Sequence, residues 1–238
     1  MQATDGARML YLIKRKPETV REELVAHWFA NHMPIVIEGQ KAQRERGALH
    51  AWRYIATVFE AREGQAWDGV AALWWDKPLP QPERPFGDPP TDSFQAKAEP
   101  YLPWATREYV VMDPRSTLEE RAPTTEPAYP NTRANFHKVT FLVTTKPGID
   151  FEALFEHWLA IHVPNVRDVM EQVGGCGYVV SHSIDPQAAP YAGMAELYFP
   201  DRSDWDAYRD NIRADGMEQW VGNDTLVLHA SMEMVGIP

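Results

Sequence analysis

The sequence has one cysteine, Cys176, among its 238 residues. That excludes internal disulfides and any Cys-rich metal site. It has no apolar run near the roughly 20 residues that span a bilayer. Its start, Met1 to Arg8, is polar and carries no signal-like apolar stretch. Positive charge is scarce: 23 Lys and Arg stand against 34 Asp and Glu, for a net charge of -11. Nucleic acid and anionic membrane surfaces are bound through clustered cations, so neither is expected as a partner. A Gly-rich phosphate loop is also missing. Gly174-Gly175-Cys176-Gly177 precedes a strand-like run and reads as a turn. His157 and His162 are five apart, not the four of a helical metal pair. Cys176 has no activating neighbour and reads as inert. These absences point to a cytoplasmic protein whose partner is a small molecule.

Proline and aromatic residues are plentiful: 20 Pro, and nine each of Trp, Tyr and Phe. The aromatic supply is enough to line an interior as well as to pack it. The most informative feature is a pattern that occurs twice. Residues 16–36 and 146–166 align without a gap at an offset of 130. Lys16, Pro17, Leu24, His27, Trp28, Ala30, His32, Pro34 and Val36 recur as Lys146, Pro147, Leu154, His157, Trp158, Ala160, His162, Pro164 and Val166. A gapless repeat of this kind implies a duplicated module.

Each copy reads as strand, helix, strand, strand, helix, strand. Met9–Ile13 and Val139–Val143 are the first strands. Thr19 with Glu22 forms a capping-box pattern before the first helix, and Asp150 is the N-cap of its counterpart. Trp52–Ala56 aligns with Tyr178–His182, and Trp67–Trp75 with Tyr191–Phe199. Arg107–Val111 and Ser231–Val235 are the last strands. The boundaries are a first module at 1–113, a linker at 114–130 and a second module at 131–238. Residues 77–91 carry six prolines and form an insertion in the first copy. With Arg84 and Phe86 in it, this loop reads equally as a lid or binding loop and as a surface decoration or oligomer contact.

The Leu-x-x-His-Trp-x-x-x-His-x-Pro segment, placed after a first strand and Lys-Pro, resembles the EthD family. That family belongs to the dimeric α+β barrel superfamily. The resemblance implies an α+β fold: two tandem ferredoxin-like β-α-β-β-α-β modules whose antiparallel sheets pack into an intramolecular barrel. It leaves function open, because the superfamily includes cofactor-free monooxygenases, cyclases, decarboxylases, isomerases and haem enzymes.

Leu24, Trp28 and His32 lie along one helical stripe, as do Leu154, Trp158 and His162. His32 and His162 then sit near the helix C-terminus, as dipole-favoured structural groups or as acid–base groups. His27 and His157 lie about 100° round the helix, on its flank. The copies differ in that the second gathers titratable groups: His137, Tyr178, His182, Glu196 and His229. At the aligned positions the first has Ala7, Trp52, Ala56, Ala72 and Trp104. Tyr178 and His182 share one strand face, as do His229, Ser231 and Glu233. A buried Glu196 needs a partner. The candidate catalytic groups are His162, His182, Tyr178, Glu196 and His32. Trp158, Trp28, His137, His229, Asn165 and Phe141 are the candidate substrate contacts. The chemistry this suggests is His-based acid–base work on a small aromatic or polyketide-like molecule. A lyase, decarboxylase, dehydratase or isomerase/cyclase would do it with no organic cofactor or metal. A cofactor-free monooxygenase and a non-catalytic small-molecule, haem or metal binder are the alternatives. The chain is expected to be a monomer or homodimer.

Overall fold

A computed structural model of the chain describes residues 1–121 and 128–238. The first half runs β1 (Ala7–Ile13), α1 (Arg21–His27), a π-helical turn (Trp28–His32), α2 (Met33–Glu45), β2 (Ala51–Val58), β3 (Gly69–Trp75), β4 (Trp104–Met112) and α3 (Arg115–Glu120). The second runs β5 (Asn131–Arg133), β6 (His137–Val143), α4 (Phe151–His157), a second π-helical turn (Trp158–His162), α5 (Val163–Gln172), β7 (Gly177–Ser183), β8 (Gly193–Phe199), α6 (Arg202–Asn211), a 3-10 turn (Met217–Gln219), β9 (Leu226–Ala230) and β10 (Met232–Ile237). Among the described residues no helix is long and apolar enough to cross a membrane.

These elements gather into two compact units. The N-terminal unit holds residues 5–105, 128–134 and 232–238, and the C-terminal unit holds 1–4, 106–121 and 135–231. In the N-terminal unit the strand order is β5-β10-β2-β3-β1; in the C-terminal unit it is β4-β7-β8-β6-β9. The strand pairs within each are antiparallel. The units are therefore not the contiguous blocks 1–113 and 131–238 that the repeat suggests. Met234 of β10 pairs opposite Ala56 of β2, so the last strand of the sequence completes the sheet of the first copy. Tyr109 of β4 pairs opposite Val180 of β7, so the last strand of the first copy extends the sheet of the second. The last strand read at Ser231–Val235 is β10, and the His229–Glu233 run is split at Ser231 between β9 and β10. β9 is the fourth strand of the second copy and pairs with β6. His229 and Glu233, expected on one face, consequently belong to different units.

Three further expectations are corrected. The Thr19–Glu22 capping box does not form, and Val20 holds the N-cap without a side-chain hydrogen bond. Asp150 does cap α4, accepting from the N–H groups of Glu152 at 2.9 Å and Ala153 at 3.2 Å. The first copy has no counterpart of α6 among the described residues. Residues 76–103 run through turns, held by bridges between Arg15 and Ala98 and between Phe86 and Tyr101. Its prolines remove N–H donors and fix φ, which prevents a second helix there.

The third correction concerns the repeated helix, which does not end near His32 or His162. It continues as α2 or α5 after the π-helical turn. The cause is Pro34, or Pro164, at the start of the continuing helix. Proline has no N–H, and its ring crowds the carbonyl four residues back. The chain widens locally instead of stopping, and the Met33 N–H reaches the Trp28 carbonyl, five residues back.

Leu24 and Trp28, and likewise Leu154 and Trp158, are buried against the sheet. Each Trp ring lies on a strand glycine. A Cβ on Gly69 would stand 2.5 Å from the Thr57 carbonyl oxygen and 2.9 Å from the Trp28 ring. A Cβ on Gly193 would stand 2.6 Å from the Ser181 oxygen and 3.0 Å from the Trp158 ring. Both neighbours are backbone or a large packed ring, so neither can yield cheaply. Gly69→Ala and Gly193→Ala should each lower unfolding stability by about 1–3 kcal/mol, measured by urea denaturation. An unchanged midpoint in either variant would contradict this packing.

Candidate functional site

In the N-terminal unit the helix and the sheet do not close on each other. They bound a cavity of about 610 Å³. Its sheet wall carries Tyr11, Tyr54 and Trp75; its helix wall carries Trp28 and His32; the 85–101 segment supplies the third side. Tyr11, Phe86 and Tyr101 form a triangle of rings with centroids 6.2–6.3 Å apart. Phe94 stacks on Trp28 at 5.3 Å. The surface is therefore largely apolar and rich in aromatic rings, as a binding site for a flat apolar molecule would be.

The polar groups are few and placed. His32 Nδ1 lies 2.6 Å from Asp92 Oδ2. Asp92 Oδ1 accepts the Gln95 N–H at 2.8 Å, which fixes the carboxylate in its turn. Gln95 Nε2 donates to the Tyr101 hydroxyl at 3.2 Å, and Trp28 Nε1 donates to the Tyr54 hydroxyl at 2.9 Å. Burial pushes the Tyr101 hydroxyl up to about 12 and moves Tyr11 and Tyr54 upward too. The phenols thus stay protonated near neutral pH and face the cavity as neutral groups. With Nδ1 committed to Asp92, the ring of His32 is fixed in orientation. His27 serves as a strut, its Nδ1 2.9 Å from the Ser93 hydroxyl.

The C-terminal unit repeats the dyad without the cavity beside it. His162 Nδ1 is 2.7 Å from Asp215 Oδ2. Asn165 Nδ2 donates to the same oxygen at 2.7 Å, and the Met217 N–H donates to Oδ1 at 3.1 Å. Burial alone would raise the Asp215 carboxyl; the Asn165 bond, the interactions of His162 and the Met217 N–H outweigh it and hold it below the ordinary value. His157 Nε2 lies farther off, 3.8 Å from Asp215. The space that is open in the other unit is filled here. Val166 and Met170 are fully buried, and α6 presses Trp205 and Tyr208 onto Phe199. Phe141 packs edge-on to Trp205 at 6.1 Å.

The titratable groups of the second copy do not come together. Tyr178 and His182 lie on the helix face of the sheet, whereas Glu196 alternates with Ala195 and Leu197 and points to the opposite face. There it forms a buried ion pair with Lys138 at 2.7 Å, and Lys138 lies over the Tyr198 ring. Glu196 has the partner that its burial demands and is not placed for catalysis with Tyr178 or His182. His137 and His229 form a separate buried pair, Nε2 to Nδ1 3.0 Å, beside Trp205. Cys176 is half-buried, and burial pushes its thiol up, so it stays unreactive.

Strand register also alters the comparison of the copies. Tyr54 pairs with Leu73 and Tyr178 with Leu197, so Tyr54, not Trp52, is the counterpart of Tyr178. Val58, not Ala56, matches His182, since they pair with Gly69 and Gly193. The sequence comparison missed Asp92, Asp215, Tyr54 and Tyr101. Asp92 plus 130 falls on Gly222, so a constant offset cannot pair the two aspartates. The available signal was local: each Asp opens a turn and is followed by Gln, Gln95 or Gln219.

His182 is buried against Phe155, Trp158 and Tyr109. Burial first, and the Arg107 charge second, lower it from 6.5 to about 3. It is therefore neutral near pH 7 and poorly suited to act as an acid there. The unfolded chain takes up this proton as pH falls through 6.5, and the folded one only near 3. Stability from this group is full above 6.5 and lost below it, by at most about 1.4 kcal/mol per pH unit. His182→Phe should flatten the fall in stability between pH 6.5 and 3, read from urea midpoints at each pH. Parallel pH profiles for variant and wild type would contradict the assignment.

Residues 146–221 match the EthD domain family. No curated protein matches the chain by sequence. Among solved structures, a candidate chlorite dismutase aligns at TM-score 0.52 and 10% identity, over 96% of this chain and 95% of that one. A candidate monooxygenase from Lactobacillus acidophilus NCFM aligns at TM-score 0.48 and 10% identity, over 96% and 94%. A chlorite dismutase variant from Candidatus Nitrospira defluvii aligns at 0.43 and 8% identity, over 96% and 92%. At such identities the first of these likenesses shows a shared fold and nothing about chemistry. The chain carries an EthD domain at residues 146–221, on an α+β fold shared with chlorite dismutase-like proteins.

Proposed function

We propose that the N-terminal unit binds a small aromatic or polyketide-like molecule in its cavity and that His32, oriented by Asp92, moves a proton on it. The observation that carries this reading is the His32–Asp92 pair, 2.6 Å apart, on the wall of an aromatic cavity of about 610 Å³. A histidine held through Nδ1 by a carboxylate presents Nε2 as a base and is stabilised as the conjugate acid. Protonated Tyr11 and Tyr101 are available to donate to an oxygen of the ligand. Such a site suits isomerisation, cyclisation or dehydration, in which one proton is removed and another returned.

Charge narrows the substrate. Asp88 and Asp92 line the cavity, and no Lys or Arg stands among the lining residues. An anionic ligand would meet carboxylates without a compensating cation. The ligand is therefore neutral or cationic, which disfavours the decarboxylase version, whose substrate carries a carboxylate. The same lack of cations gives a propionate-bearing haem no counter-charge. Among the described residues no group of three His, Cys, Asp or Glu is placed to hold a metal ion. His162, which the repeat made an equal candidate, serves in this reading to fix the C-terminal helix to its turn. We also read the chain as an intramolecular version of the dimeric α+β barrel; the exchange of β4 and β10 between the two sheets supports it.

The test starts from binding. Neutral, cationic and carboxylated aromatic compounds of similar size are screened by thermal shift, and hits are assayed for turnover and oxygen uptake. Neutral or cationic compounds should raise Tm and carboxylates should not. His32→Gln and Asp92→Asn should lower kcat by about 10²–10⁴-fold, and His162→Gln by less than about tenfold. Turnover that survives His32→Gln but is lost in His162→Gln would overturn the assignment. Stoichiometric oxygen uptake would favour the monooxygenase alternative.

A further inference from the structure

The C-terminal unit has a cleft of its own, of about 650 Å³, which the dyads do not touch. Its walls are Tyr109 on β4, Phe155 on α4 and His182 at the end of β7. The His182 imidazole lies face to face with Phe155, centroids 4.2 Å apart and planes 12° from parallel. Tyr109 stands 5.1 Å away on another side. His182 is only 4% exposed, and its Nε2 is buried without a hydrogen-bond partner. The first copy has Val58 at this register position. An apolar residue thus suffices for the fold, and a buried ring nitrogen without a partner is destabilising. A group that costs stability and is not needed for packing calls for a ligand.

We infer that this cleft is a second small-molecule site, which takes an uncharged planar compound whose hydroxyl hydrogen-bonds to His182. Phenol is the simplest member of the class. Planarity follows from the aromatic lining of the cleft, Tyr109, Phe151, Phe155 and the imidazole itself. Neutrality follows from the surroundings. Arg107 is offset by Glu152 and Glu156, so the lining offers no field of one sign. The imidazole itself stays neutral because burial opposes its protonation. A neutral imidazole can accept from a phenolic O–H or donate to its oxygen. This site is independent of the His32–Asp92 reading, and either can fail without the other.

The test uses the full chain with ¹⁵N-labelled histidine. The His182 ring resonances are identified by their loss in His182→Phe, a change that the Val58 counterpart indicates the fold tolerates. Phenol is titrated into wild type, His32→Gln and Leu159→Trp, whose new ring fills the cleft. The His182 resonances should shift saturably, with a Kd on the order of 1 mM, in wild type and in His32→Gln alike. Leu159→Trp should abolish the shift, and Ile184→Trp at the exposed rim serves if Leu159→Trp does not fold. Phenol shifts at His32 with none at His182, or His182 shifts that survive filling of the cleft, would overturn the proposal.

Discussion

The structure depends on the five-residue turn that proline forces into each long helix. Pro34 and Pro164 remove a donor where an α-helix would need it, and the helix widens by one residue at Trp28–His32 and Trp158–His162. That widening has two effects. It leaves the six-membered rings of Trp28 and Trp158 against Gly69 and Gly193, which anchors the helix to its sheet. It also carries His32 and His162 to where Asp92 and Asp215 can meet them. A helix that simply ended at the proline would free the histidine to fray with its last turn. Because the helix continues for 13 residues as α2, and for 10 as α5, the imidazole is held in a rigid element.

How much of this was legible in the sequence follows from the range of each interaction. The repeat, the helix, the strands and the buried Leu–Trp stripe are local and could be read directly. The α+β class followed from element order, and the EthD resemblance from the His-Trp and His-Pro spacing. What could not be read was non-local. The division of β9 from β10 depends on which sheet each half of the segment meets, not on its composition. The register of β2 depends on the pairing of Tyr54 with Leu73, and a two-residue slip leaves every side chain on the same face. Glu196 went wrong through strand parity: it alternates with Ala195 and Leu197, which places it across the sheet from Tyr178.

The copies have diverged in opposite directions from one scaffold. In the second, α6 supplies Trp205 and Tyr208, and Val166 and Met170 close the space between helix and sheet. In the first, prolines at 78–90 block the matching helix, and Val36 and Gln40 take the places of Val166 and Met170. The result is that the space between helix and sheet is filled in the C-terminal unit and open in the N-terminal one. Three of the extra titratable groups of the second copy have partners within its packing: Glu196 has Lys138, and His137 and His229 have each other. A count of polar residues therefore misleads about chemistry when it is taken without their partners.

The two dyads differ in what else their carboxylates hold. Asp215 accepts from His162, Asn165 and the Met217 N–H, and its charge is spread over three donors. Asp92 accepts from His32 and from the Gln95 N–H. At the position of Asn165 the first copy has Ile35, which lines the cavity and has no donor to offer. A carboxylate oxygen shared with an amide gives less to the imidazole than one it holds alone. Oδ2 of Asp92 is bonded to His32, and its Oδ1 accepts the Gln95 N–H. The difference between Asn165 and Ile35 thus goes with an apolar wall in one unit and a polar tie in the other. That difference is the physical reason to look for proton transfer in the N-terminal unit, although the EthD match lies in the other half.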